Sequence, residues 1–587
     1  MAKVWRYSTH DESLIKQLSQ RLRVSPLLAQ VLSARGYQSA DQASEFLTAR
    51  LADLHDPELL PGISEASDRV LSALQSQRRI TIYGDYDVDG VTATSLLYEC
   101  LRLAGGTVDY YIPSRMEEGY GLNSDAIRKL SQEDPQRLMI SVDCGISSVD
   151  VARVAQELGL ELIITDHHQM ADVLPAAACL VHPRLPGSTY PFPDLCGAGV
   201  AFKLAWAICQ KLGDGKRASP RMREFLKTAV GLTALGTVAD VVPLRGENRV
   251  IVRYGLQSLV AQSTPGLQSL LQVCEIGQNS RLRSDDIGFK LAPRINAAGR
   301  LGQARLAVEL LTTQDAQRGL VLAKYLDELN KTRQSVERKI FKQAKELVAD
   351  NPAWKDHASL VLSHEKWHPG VIGIVANRVA EHFEKPTVLI AEDRQAELHP
   401  GSGRSFAGFN LHSGFVACGQ HLESYGGHHA AAGLKIRSEL ISDFRQALHT
   451  FTQAHHSINP SDLELQVDAE VRLADVTYRA VCDLDRLGPF GAGNRQPLFV
   501  ANEVNLDGPP QTMGEGGRHL SLQLTQYGTR LRAIAFGKGD WADALAKVQG
   551  PIAISFQPSI NSFRGRESVQ LQLVDWQPES ATAAVSP

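Results

Sequence analysis

Residues 80–90 read Ile80-Thr81-Ile82-Tyr83-Gly84-Asp85-Tyr86-Asp87-Val88-Asp89-Gly90, four β-prone residues running directly into three alternating carboxylates. Crowding that much negative charge at the end of a buried-looking strand is costly unless cations occupy the site. Taken alone, the segment also reads as a solvated acidic loop or a helix cap. It is not an EF-hand loop, because no Glu stands at the twelfth position.

Further β-rich runs lie at Val108 to Ile112, Leu138 to Val142 and Leu162 to Thr165, followed by polar turns and helical patterns. Strands alternating with helices predict an α/β fold with a mostly parallel sheet covered on both faces. Two of these strand ends are also acidic: Ser141-Val142-Asp143-Cys144-Gly145 and Thr165-Asp166-His167-His168. Open α/β sheets hold ligands at the carboxyl ends of their strands, so the three segments are expected to converge. Asp240, in Gly236-Thr237-Val238-Ala239-Asp240, is a fourth candidate, although alone it reads as a helix cap. An oxygen-rich set with one or two imidazoles suits Mn²⁺ or Mg²⁺ better than copper or structural zinc. Two such ions about 4 Å apart predict phosphoester hydrolysis.

At 587 residues the chain exceeds the size of a single core, so several domains are expected. A net charge of −4 argues against coating nucleic acid by bulk attraction. A local basic stretch does exist, with Arg281, Arg283, Lys290, Arg294, Arg300 and Arg305 facing Asp285 and Asp286. The eight cysteines form no Cys-x-x-Cys pair, which disfavours a zinc framework or disulfides. No apolar run reaches membrane-spanning length, so no membrane association and a cytoplasmic location are expected.

The order and spacing of Asp87 and Asp89, Asp143, Asp166-His167-His168 and Asp240 resemble the four motifs of the DHH phosphoesterase family. The resemblance implies that Asp87, Asp89, Asp143, His167 and Asp240 bind two divalent cations, Mn²⁺ or Mg²⁺, with Asp143 bridging. It also implies that His168 faces the scissile phosphate. Asp85 lies near where pyrophosphatases of the family use a histidine; it is counted among the metal candidates with its role open.

Residues 83–90 and the run Pro293-Arg294-Ile295-Asn296-Ala297-Ala298-Gly299-Arg300-Leu301-Gly302 resemble signatures of the branch of this family that degrades single-stranded DNA. Trp367 to Gly373 and Gly426 to Gly433 resemble the accessory DHHA1 domain, and Leu487 to Asn494 with Asn561 to Asp575 an oligonucleotide-binding (OB) barrel. The activity so implied is 5′ to 3′ degradation of single-stranded DNA in repair and recombination, by a monomer working beside a single-strand-binding protein and a DNA helicase.

The expected organisation is an N-terminal helical segment (1–70), a parallel-sheet DHH domain (71–314), a connecting helix (315–350), a second α/β DHHA1 domain (351–458), an OB-type β-barrel (459–576) and a disordered tail (577–587). The helix rests on Leu322, Leu326, Leu329, Val336, Ile340 and Leu347, spaced at helical intervals.

Substrate-binding candidates are Arg115, Arg294, Asn296, Arg300, Ser402, Arg404 and His428. Gly401-Ser402-Gly403-Arg404-Ser405 reads as a glycine turn or as a loop offering backbone N–H groups and a guanidinium to phosphate. Arg115, with Arg294 or Arg300, would grip a terminal 5′-phosphate or instead pair with the metal-site carboxylates. In the barrel, Phe490, Phe536, Phe556 and Phe563, with Arg564 and Arg566, are candidates for base stacking, Phe536 and Phe556 also being read as core. The competing functions are a phosphodiesterase for short oligonucleotides or cyclic dinucleotides, a pyrophosphatase, and a non-catalytic single-strand-binding scaffold. Neither small-substrate enzyme needs residues 460–576, and a scaffold would be expected to have lost acidic positions that are intact here.

Overall fold

The computed structural model describes residues 3–114, 118, 119, 121–277, 280–458, 464–563 and 566–579. Its contacts divide the chain into two compact units: Leu51–Ile458 with Gly491–Gly493, and Met1–Arg50 with Asn459–Phe490 and Asn494–Pro587.

The larger unit begins with a five-stranded, all-parallel sheet: β1 (Ile80–Tyr83), β2 (Val108–Tyr111), β3 (Leu138–Val142), β4 (Glu161–Thr165) and β5 (Cys179–Val181), in the order β2-β1-β3-β4-β5. Side chains alternate between two cores, as the two-residue period of a strand requires. Ile80, Ile82, Ile140 and Ile163 belong to one, and Tyr83, Met139, Leu162 and Ile164 to the other. Helices therefore cover both faces, and the central strands are mostly apolar and almost wholly buried. The chain leaves β1 for β2 on one side and returns to β3 on the other. The crevice at the carboxyl ends of β1 and β3 is thus the topological switch point where such sheets hold ligands.

Helices α1 (Val88–Leu103), α2 (Gly197–Lys211) and α3 (Pro220–Ala239) pack on one another over this sheet, and α4 (Ala292–Arg300) follows. The long helix α5 spans Ala316–Asp350; the Asp315 side chain caps its start by accepting from the N–H groups of Gln317 and Arg318. Its buried stripe includes Leu322, Leu326, Ile340 and Ala344, and Pro352 prevents continuation.

Beyond α5 lies a second sheet, of strands β6 (Leu360–His364), β7 (Thr387–Ala391), β8 (His399–Arg404), β9 (Ser424–Gly427) and β10 (Ala431–Ile436), ordered β9-β10-β8-β7-β6. Helix α6 (Pro369–Phe383) packs on it. The run Gly401 to Arg404 is neither the turn nor the phosphate loop expected from its glycines. It lies inside β8, paired with β7 on one side and β10 on the other, so its backbone groups are engaged in the ladder. The glycines serve packing instead: a Cβ at Gly401 would meet Leu434 at 2.7 Å and one at Gly403 would meet Leu411 at 2.6 Å.

The smaller unit is built on a closed ring of five strands. Phe499–Leu506 pairs with both His519–Gln526 and Ile552–Phe563, and Thr529–Ala535 and Arg566–Pro578 complete the ring. In chain order the ring runs 1-2-3-5-4, the arrangement of an OB barrel. Phe556 lies in its core against Phe499, whereas Phe536, which the sequence also suggested as core, is 53% exposed beside His519. The stretch 1–70, expected as one segment, is divided between the units. Helices Pro26–Ala34 and Ala40–Leu47 share the barrel's core, and the strand Val4–Tyr7 pairs with Glu464–Val467. Helix Ile63–Gln75 instead buries Ile63, Ala66 and Val70 in the core of the parallel sheet. The last strand continues past Trp576, with Gln577 and Pro578 paired to Ala553 and Ile552. The remainder of the expected tail, from 580, and Arg564 lie outside the described residues, as does the side chain of Phe563. No helix among the described residues is long and apolar enough to cross a membrane.

Because Leu28, Val31 and Leu32 are wholly buried in the core shared with the barrel, truncation must respect that pairing. A chain of residues 1–458 is expected to aggregate, while one of residues 51–458 stays monodisperse and melts cooperatively. Size-exclusion chromatography and calorimetry of the two distinguish the outcomes; equal behaviour would refute the pairing.

Candidate metal centre

The acidic loop after β1 is shaped by its own carboxylates. Asp87 caps α1, accepting from the N–H groups of Asp89 at 2.9 Å and Gly90 at 3.1 Å, which starts the helix at Val88. Gly90 is required because a Cβ there would lie 2.6 Å from the Cβ of Asp85. Asp143 follows β3 with φ +62°, a left-handed conformation that turns its carboxylate into the crevice. Asp166, after β4, works as a clamp: its Oδ1 accepts from the backbone N–H of His167 and from His168 Nδ1, each at 2.7 Å, and its Oδ2 from Ile146 N–H at 2.9 Å. Asp240 ends α3 and brings its carboxylate over the same crevice.

Three sets of potential ligand atoms result, each within 4.8 Å: the triads Asp85-Asp87-Asp143 and Asp89-His167-Asp240, and the group Asp143-Asp166-His167-His168, which shares a member with each triad. His167 Nε2 joins them, lying 3.2 Å from Asp143 Oδ1, 3.6 Å from Asp240 Oδ2 and 3.8 Å from Asp89 Oδ2. Asp143 Oδ1 and His167 Nε2 are buried, and despite their proximity neither forms a hydrogen bond. Ligands of an octahedral ion at about 2.1 Å stand about 3 Å apart along an edge. The donor set, rich in carboxylate oxygens with one neutral imidazole, therefore fits hard divalent cations.

The electrostatics agree. Burial raises the Asp89 and Asp143 carboxyls, and the carboxylates of Asp89, Asp87, Asp85 and Asp240 raise Asp143 further. Burial, then Asp89 and Asp87, push Asp240 up to about 8. Cations bound among Asp89, Asp143 and Asp240 would offset this penalty and displace the protons. Burial holds His167 down at about 4, overriding the pull of Asp89, so its imidazole is neutral and offers a lone pair. For His168, burial acts downward, but the hydrogen bond to Asp166 and its charge prevail and raise the ring to about 9. This cationic ring is 3.9 Å from Asp143 Oδ1.

Several supporting residues gave no clear signal in the sequence. At the start of α2, the N–H groups of Gly197 and Ala198 donate to the two Asp89 oxygens at 2.6 Å and 2.9 Å, where the helix dipole also favours an anion. A Cβ at Gly197 would meet Asp143 Oδ1 at 2.4 Å, and one at Gly236 would meet Asp89 Oδ1 at 2.5 Å. The small-residue run Gly197-Ala198-Gly199 before an apolar helix was the available clue. His182, fully buried, lies 2.9 Å through Nε2 from the carbonyl of His168.

The substrate-binding candidates are more dispersed. Arg115 lies outside the described residues. Arg294 is engaged with Asp327 of α5 at 2.9 Å and with the Lys290 carbonyl, which makes it a brace between α4 and α5. Arg300 donates to the Gly370 carbonyl of α6 at 3.3 Å. Asn296 is half-buried on α4, whose Gly299 lies against the acidic loop; a Cβ there would be 2.3 Å from the Tyr86 carbonyl. On β8, Arg404 donates to Ser402 Oγ at 3.0 Å, and both side chains approach Gly373 of α6. His428 is exposed in the β9–β10 turn, one strand away from Arg404.

Comparison with known proteins gives three family matches: the DHH family N-terminal domain over residues 79–237, the DHHA1 domain over 357–454 and the RecJ OB domain over 467–575. The chain is 37% identical over 575 residues to the single-stranded-DNA-specific exonuclease RecJ of Bacillus subtilis, covering 97% of this chain and 70% of the relative. Its fold is similar to the crystal structure of RecJ in complex with Mn²⁺ from Thermus thermophilus, at a TM-score of 0.81 and 31% identity, covering 98% of this chain and 79% of the other. The Mg²⁺ complex from the same organism matches at a TM-score of 0.75 and 30% identity, covering 98% and 78%.

Two outcomes test this geometry. Gly197→Ala is expected to weaken Mn²⁺ binding by roughly tenfold or more, since it displaces the supports of two ligands at once; unchanged calorimetric affinity would remove Gly197 from the site. Protons compete with cations for the raised carboxyls, so Mn²⁺ affinity should climb from pH 6 towards the Asp240 value of about 8 and then level off. Proton release measured in buffers of different ionisation enthalpy checks this, and binding independent of pH would contradict it.

Proposed function

Because the chain belongs to the RecJ family of DHH phosphoesterases, we propose that it is a metal-dependent exonuclease that degrades single-stranded DNA in the 5′ to 3′ direction during DNA repair and recombination. The observation that carries this reading is the pair of ligand triads joined at Asp143 and His167. In it Asp85, Asp87, Asp89, Asp143, His167 and Asp240 hold two divalent cations, Mn²⁺ or Mg²⁺. Bound there, the cations supply Lewis-acid activation and neutralise charge that develops on the scissile phosphate. The chain's own groups do the rest. His168, held protonated by Asp166, presents a positive N–H face to the phosphate. Gly197 and Ala198 fix Asp89, and Asp166 fixes the backbone of both histidines, so the ligands are ordered before substrate arrives.

We assign residues 71–314 as the catalytic domain, 315–350 as the connecting helix, 351–458 as the DHHA1 domain and 459–576 as the strand-holding barrel. Arg115, Arg294, Asn296, Arg300, Ser402, Arg404 and His428 are assigned to contacts with the strand, and for Arg294 any such contact must share the guanidinium with Asp327. The enzyme acts as a cytoplasmic monomer on DNA delivered by a helicase and covered by single-strand-binding protein. The closed barrel favours long strands over cyclic dinucleotides or pyrophosphate, neither of which needs a nucleic-acid groove.

End-labelled single-stranded DNA, duplex DNA and RNA, each incubated with Mn²⁺, Mg²⁺ or chelator, test the reading. Single strands are expected to shorten from the 5′ end only with metal, and Asp143→Asn should reduce the rate by about a hundredfold or more. Degradation of duplex or RNA at the same rate, or near-normal activity of Asp143→Asn, would contradict it.

A further inference from the structure

Immediately before α4 the chain is π-helical over Ile287–Leu291, in the sequence Ile287-Gly288-Phe289-Lys290-Leu291. π-Helical turns are rare and occur mostly at functional sites. Ile287 and Leu291 are fully buried and anchor the turn, while Phe289 midway between them faces outward at 80% exposure. That is the highest value among the large exposed hydrophobic side chains of the described residues. A single exposed apolar side chain is ordinary on a protein surface, but the surroundings set this one apart. Between 281 and 294 the sequence carries Arg281, Arg283, Lys290 and Arg294 against Asp285 and Asp286, and the first three of those cations are exposed, Lys290 while paired with Asp286 at 2.7 Å. The π-turn runs without a break into α4, whose Gly299 abuts the Tyr86 carbonyl in the acidic loop. From Phe289 to Gly299 is a rigid path of about 15 Å at 1.5 Å per residue. The backbone that carries the ring is therefore continuous with the helix that abuts the acidic loop.

We propose that Phe289 is a stacking platform for one base of the single-stranded DNA substrate, with Lys290 beside it at the phosphate backbone. The assignment rests on the single-strand exonuclease reading and adds a specificity element to it. Stacking on an aromatic face is indifferent to base identity, as a nuclease without sequence preference requires. A duplex keeps its bases paired and stacked on each other, so the platform rewards single strands only.

The full-length chain with Mn²⁺ provides the test, using a long oligonucleotide and a dinucleotide in parallel. Phe289→Ala is expected to raise KM for the long strand roughly five-fold to a hundredfold, with kcat and dinucleotide turnover unchanged. Phe289→Tyr and Phe289→Trp should restore the wild-type KM, whereas Phe289→Leu, which keeps the apolar bulk without a π face, should not. An unchanged KM in Phe289→Ala, or full rescue by Phe289→Leu, would overturn the platform. If the wild-type chain itself fails to degrade single strands, the exonuclease reading falls instead, so the two failures are distinguishable.

Discussion

Like-charge crowding is the constraint on which the rest of the structure depends. Asp85, Asp87, Asp89, Asp143 and Asp240 are drawn from three separate stretches of sequence into one partly buried crevice, and burial raises Asp89, Asp143 and Asp240 against ionisation. Such a cluster is stable as an anion only around cations. The parallel sheet makes the convergence possible, because the strand order reverses between β1 and β3 and opens a crevice at their carboxyl ends.

The surrounding packing keeps that crevice tight. Gly90, Gly197 and Gly236 each stand where a methyl group would collide with a site carboxylate residue. The α2 N-terminus directs two N–H groups at Asp89, and Asp166 ties two loops together, its Oδ1 accepting from His167 and His168 and its Oδ2 from Ile146 in the loop that follows Asp143. Helix α4 lies between the acidic loop and α6, touching Tyr86 through Gly299 and Gly370 through Arg300. The second sheet is thereby linked to the metal centre through α4, by the close approach of Gly299 to the Tyr86 carbonyl and by the Arg300 guanidinium on the Gly370 carbonyl, and Ser402 and Arg404 are held against α6.

Much of this was legible in the sequence. The strands β1 and β3, the helix from Asp315 and the acidic strand ends carry strong local signals: apolar runs of strand length, heptad-like spacing, and carboxylates at positions where charge is otherwise unfavourable. What was not legible depends on long-range packing. Gly401 and Gly403 have the local signature of a turn, yet Leu434 and Leu411, distant in sequence, claim the space above them and make them part of a strand. The N-terminal helices look like a segment on their own; their apolar faces reveal no partner until the barrel, more than four hundred residues away, is seen to complete their core. The inward-facing residues of the preceding strand are Leu531, Ala533 and Ala535, so Phe536, one step past the last of them, falls on the outward parity. Gly197 and Ala198 contribute only backbone groups, which no residue type advertises.

Asp143 belongs to one ligand triad and lies 3.2 Å from His167 of the other, where it would hold both cations. Electron paramagnetic resonance of the Mn²⁺-loaded chain measures this sharing directly, because two manganese ions bridged by one carboxylate are magnetically coupled and isolated ions are not. A coupled-pair spectrum saturating at two Mn²⁺ per chain is expected, reduced to an uncoupled signal in Asp143→Asn. An uncoupled spectrum from the wild-type chain at saturation, or saturation at a single ion, would contradict that sharing.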